Sequence, residues 1–168
     1  MRVVSFLLAL ISLVHSSQSF SKSLSAKKVT NCTNFSGTWK GSCLRDGILE
    51  SNILRIEQSS CLDFSINSII YKIGVPVEST TQDDSALTTN SDLLAWEDQS
   101  LSTIIMDSSA NSKVVLPNFV LDYRVKGRQA LFLKDGDLVS ESTYLETAIK
   151  NGEIKEFTRS TSCEYKKS

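Results

Sequence analysis

Four cysteines, one histidine and a cluster of tyrosine, glutamate and arginine near the C-terminus are the residues whose chemistry can be weighed first. The cysteines are Cys32, Cys43, Cys61 and Cys163, with spacings of 11, 18 and 102 residues. No C-x-x-C pair of the kind structural zinc sites use is present, so two disulfides are expected and no metal. The one histidine, His15, falls inside Met1–Ser19. That stretch carries a basic Arg2, an apolar Val3–Val14 and the small residues Ser17 and Ser19, the pattern of a secretory signal peptide. Its apolar run is too short to span a bilayer, and no later stretch approaches that length, so no membrane span is expected. A chain without its leader has no histidine. Ser-His-Asp and Cys-His systems then lack a base, and H-E-x-x-H zinc chemistry lacks ligands. No G-x-x-x-x-G-K-[ST] or G-x-G-x-x-G loop stands in the sequence to cradle a phosphate. A glycosidase-type carboxylate pair needs only Asp and Glu, and 19 acidic residues permit one without specifying it. The expectation is a non-enzymatic protein with no cofactor.

The tyrosine, glutamate and arginine depend on a hairpin to meet. Asn151-Gly152 is a two-residue turn signal. A tight turn there puts Tyr144 opposite Arg159 and Glu146 opposite Phe157. Glu146, Tyr144 and Arg159 would then share one face. Such a cluster either satisfies an inward arginine, because buried charges need partners, or anchors the head group of a ligand.

The first hairpin is read the same way. Phe35, Gly37, Trp39, Gly41 and Cys43 alternate with Ser36, Thr38, Lys40 and Ser42, which is a half-buried strand. Asp46-Gly47 turns it, and paired residues then have numbers summing to 93. Trp39 faces Leu54, Gly37 faces Ile56 and Phe35 faces Gln58, so inward residues meet mostly inward residues. Cys32 and Cys61 also sum to 93, which favours a Cys32–Cys61 bond and leaves Cys43–Cys163. If the last strand brings Cys163 beside Cys32, the alternative Cys43–Cys61 with Cys32–Cys163 stays open.

Further along, Lys126-Gly127-Arg128 and Asp135-Gly136 are two more turn signals, and with Asn151-Gly152 they separate strands at Val120–Lys126, Gln129–Lys134, Leu138–Lys150 and Ile154–Lys166. Weaker strands are expected at Leu62–Ile73, Leu93–Trp96, Leu101–Met106 and Lys113–Leu116. A short helix near Tyr144–Ile149 is the competing reading of one of these segments. The polar stretch Glu78–Asp92 reads as a projecting loop, and Phe20 to Thr30 as a polar, basic lead-in.

The chain has 168 residues, of which 40% are hydrophobic and 22% charged, with a net charge of −1. One globular domain is expected, and nothing basic enough to neutralise a nucleic-acid backbone is present. The 28 serines and 12 threonines favour strands with a hydroxylated outer face over helices. The division is a signal peptide at 1–19, a flexible lead-in at 20–33 and a β domain at 34–168. The fold class is all-β, an antiparallel up-and-down barrel of about eight strands, with a two-sheet sandwich as the alternative. Two sequons, at Asn31 and Asn34, would matter only in a glycosylating host.

Gly37-Thr38-Trp39 on the first strand of such a domain resembles the lipocalins and the wider calycin barrels. The resemblance implies a tryptophan at the closed end of the barrel, beside an arginine of the last strand, here Arg159. It also implies an interior able to hold a small apolar molecule. The residues expected to line it are Phe35, Trp39, Leu54, Ile56, Tyr144, Glu146, Phe157, Arg159 and Tyr165. The T-D-Y-like motif and C-terminal helix of that family are not evident. The expected function is a secreted or periplasmic binding module for a small apolar ligand. The alternatives are a module or inhibitor that engages a protein or surface partner, and, further off, a carboxylate hydrolase.

Overall fold

A computed structural model describes residues 31–168, apart from 84, 117 and 118. The expected signal peptide and most of the lead-in lie outside the described residues. Ten strands follow one another without a helix: β1 Gly37–Arg45, β2 Ile48–Gln58, β3 Asp63–Ile66, β4 Ile69–Lys72, β5 Pro76–Gln82, β6 Ala86–Trp96, β7 Thr103–Leu116, β8 Phe119–Lys134, β9 Asp137–Lys150 and β10 Glu153–Lys167. All pair antiparallel in the order β4-β3-β2-β1-β10-β9-β8-β7-β6-β5. A bridge between Lys72 and Val75 joins β4 to β5, and the ring is a closed up-and-down barrel. No helix among the described residues is long and apolar enough to cross a membrane.

Turn chemistry sets this order. Asp46-Gly47, Asp135-Gly136 and Asn151-Gly152 all have positive φ at both positions, the type I′ geometry whose twist matches that of the flanking strands. Asn67-Ser68 does the same between β3 and β4, which is why the expected single strand Leu62–Ile73 is two. The resulting registers are those read from the sequence: Trp39 opposite Leu54 and Gly37 opposite Ile56, Tyr144 opposite Arg159 and Glu146 opposite Phe157.

The expected barrel of about eight strands has ten, and two expectations are corrected. Lys126-Gly127-Arg128 is no turn; β8 runs straight through it, with Gly127 opposite Tyr144. A Cβ on Gly127 would fall 2.1 Å from the Tyr144 ring, so the glycine makes room for an aromatic cross-strand neighbour. The stretch Glu78–Asp92 is no loop but the β5–β6 hairpin, closed by Asp83, whose carboxylate accepts from the Ser85 and Ala86 amides. Those bonds hold the Asp83 carboxyl below its ordinary range. The segment at Tyr144–Ile149 is strand throughout.

Both disulfides follow the register. Cys32–Cys61 spans the open end of the first hairpin, and Cys43–Cys163 joins directly opposed residues of β1 and β10. The end of the expected lead-in is therefore tied down, and the Thr33 amide also donates to Leu101 O.

Candidate functional site

The residues expected to line one interior fall into two groups at opposite ends of the barrel. At the base, Trp39, Leu54 and Ile56 pack with Phe35, Phe64, Tyr71, Leu94 and Leu138 in a single core. Trp39 is 2% exposed, and its indole N–H donates to Phe35 O at 2.9 Å. Trp96 donates to Cys61 O and stacks obliquely on Phe35 with ring centres 6.1 Å apart. These side chains fill the base of the barrel, so Trp39, Leu54 and Ile56 stand in packed core. The cation beside Trp39 is Lys167, its ammonium 5.5 Å from the ring centre. Arg159 is not there, because Lys167 is the β10 partner of Trp39 and Arg159 lies eight residues back along the strand.

At the mouth, β1 ends at Arg45 opposite Thr161, while β10 continues beyond it as the edge of a projecting sheet. Arg159 sits at this step and is 48% exposed. Its guanidinium reaches Glu146 at 3.0 Å and Asp46 of the first turn at 3.1 Å. Tyr123 donates to the second oxygen of Glu146 at 2.6 Å. That hydrogen bond, with desolvation behind it, raises the Tyr123 phenol above its ordinary value. Tyr144, opposite Arg159 in the ladder, lies against Gly127. Phe157, expected inside, is 52% exposed, because β1 ends before reaching its level. Tyr123 and Asp46 were missed as members of this cluster. Asp46 was assigned only to its turn, and Tyr123 only to a strand of unknown register.

Chemically, the mouth cluster is a satisfied ion-pair chain. One guanidinium faces two carboxylates, and the better-buried carboxylate is engaged at both oxygens. With two carboxylates against one guanidinium, it carries no excess positive charge for an anion. Among the described residues, no group of three His, Cys, Asp or Glu side chains is placed to hold a metal.

A cavity of about 710 Å³ lies instead on the outer side of the sheet. Its floor is a cross-strand row of Leu44, Ser162, Glu141, Ala130 and Ile105. The Asp46-Gly47 turn and an Arg128–Glu97 pair at 3.6 Å border it. Nothing in the sequence marks this groove, since it arises where long twisted strands curve past the shorter β1–β2 hairpin. No family model, no curated protein and no solved structure matches the chain.

Proposed function

We propose that the protein is an exported, non-enzymatic binding module that engages a macromolecular partner through the outer groove at Leu44 and Ala130, floored by the buried Ile105. The observation that carries this reading is the division of space: aromatic and aliphatic side chains fill the base of the barrel, while an open cavity of about 710 Å³ lies on the outside. The two disulfides and the leader-like Met1–Ser19 support export, to the cell exterior or the periplasm. The G-x-W start and the pairing of first strand with last support a calycin-like barrel, whereas Lys167 beside Trp39 departs from the lipocalin pattern. A small apolar ligand inside the barrel is the second reading, favoured only by the resemblance. Native mass spectrometry of protein purified from its own source separates the two. A complex with a macromolecule that Leu44→Arg abolishes is expected; a retained small apolar molecule on the intact protein would overturn the proposal.

A further inference from the structure

Besides the four-residue β4, whose far edge meets only Val75 and is kept from pairing by its shortness, three stretches of strand have a backbone edge that pairs with nothing among the described residues, and they differ in how they are defended. Bare edges invite pairing with another chain, and proteins blunt them with charge, proline and short length. On β10, the free stretch Glu153–Ser160 carries Glu153, Lys155, Glu156 and Arg159. On β5, the edge begins with Pro76 and continues through Glu78 and hydroxylated residues. The third edge is Ile48–Leu54 of β2, where β3 has not yet begun: β3 pairs only with Ile56, Glu57 and Gln58. Here Ile48, Leu49 and Ile53 are exposed, Leu49 at 70%, and the one charge is Glu50.

The backbone polarity of this edge is determined. The Arg55 amide donates to the Asn67 side chain and its carbonyl accepts from the Asn67 amide, so Arg55 faces away from β1. The Gln58 amide, by contrast, turns to Ser36 on the other side. Alternation then directs the N–H and C=O of Leu49, Ser51 and Ile53 outward. The free stretch of β2, bounded by the turn at Gly47 and the cap at Arg55, is symmetric about Ser51.

We infer that a second copy of this chain docks on the β2 edge, antiparallel about a two-fold axis at Ser51. In this register Leu49 faces the other copy's Ile53, Ser51 faces Ser51, and Glu50 faces Asn52. All three outward-facing residues of each copy find partners, giving six backbone hydrogen bonds. Moving the axis to Glu50 would oppose two like charges. Moving it to Asn52 would set Leu49 against Arg55, whose backbone Asn67 already occupies. The apolar pair Leu49–Ile53 forms twice, on the same face as Leu44, the cross-strand neighbour of Leu49. Two seven-residue strands make a small interface, so a weak, concentration-dependent dimer is expected. This inference is independent of the partner proposed for the outer groove.

Sedimentation of the disulfide-bonded protein from micromolar to submillimolar concentration tests it. The expected result is a monomer–dimer equilibrium. Ser51→Pro removes the central outward N–H, which no described group of the monomer uses, and proline is tolerated on edges. It should raise the dimer dissociation constant about tenfold or more, since two symmetry-related hydrogen bonds are lost. Leu49→Lys, on an exposed side chain, should weaken the dimer as well and serves if the proline variant misfolds. Ser51→Cys should cross-link under mild oxidation, because a hydrogen-bonded antiparallel pair sits about 5.5 Å apart at Cα. Thr158→Cys on the charged β10 edge should not. A wild-type monomer throughout, a dimer unchanged by both edge variants, or equal cross-linking from Thr158→Cys would each overturn the inference.

Discussion

The base of the barrel and its mouth are made by the same strands, yet one is packed and the other is wired. At the base, Trp39, Phe35, Ile56 and Leu138 are buried and hold each other by contact. At the mouth, Asp46, Arg159, Glu146 and Tyr123 hold each other by charge and hydrogen bonds, half in water. The difference comes from strand length: β1 stops at Arg45, and everything on β10 beyond Thr161 loses its cover on that side. Burial, not polarity, therefore decides how much each end contributes to stability.

Four measurements sharpen or break that contrast. Trp39→Ala empties a buried aromatic site and strands the Phe35 carbonyl, and should cost about 3–5 kcal/mol in denaturant unfolding. A loss under ~1 kcal/mol would mean the base is not packed as described. Gly127→Val at the mouth drives a side chain into the Tyr144 ring and should cost about 1–3 kcal/mol; pairing it with Tyr144→Ala should recover most of that loss if the ring is the obstacle. Arg159→Ala breaks two partly exposed ion pairs and should cost about 1 kcal/mol or less. A larger loss would place Arg159 in a dry environment, contrary to its half-exposed position. The smallest effect is read by alkaline absorbance titration. Tyr165 is raised above 10.0 mainly by burial and Tyr123 mainly by its bond to Glu146. Glu146→Gln should therefore lower Tyr123 and leave Tyr165 where it is. Because both folded values are raised, the associated stability is full below the ordinary phenol range and is lost as pH climbs through the folded values.

The sequence carried registers further than it carried shape. Asp46-Gly47 and Asn151-Gly152 specify tight turns, so opposed pairs and the Cys32–Cys61 bond follow by counting, and the alternation of Phe35 to Cys43 identifies the face that is buried. Gly127 misled because a glycine that accommodates a neighbour's ring has the same signature as one that turns the chain. Glu78–Asp92 misled because a strand polar on both faces has no alternation to read. The relative lengths of β1 and β10 are a property of the assembled sheet, and with them went the position of Arg159, the exposure of Phe157 and the outer groove.

The pairing of first strand with last also has a kinetic consequence. Every other ladder joins strands consecutive in the chain, so each can form as a local hairpin at small loop-closure cost. The β1–β10 ladder alone must bring together segments about as far apart as the 120 residues between Cys43 and Cys163. A chain with this topology gathers as two runs of hairpins that meet at one late seam. The Cys43–Cys163 bond lies across that seam, and once formed it keeps the last step of folding from being the first step of unfolding.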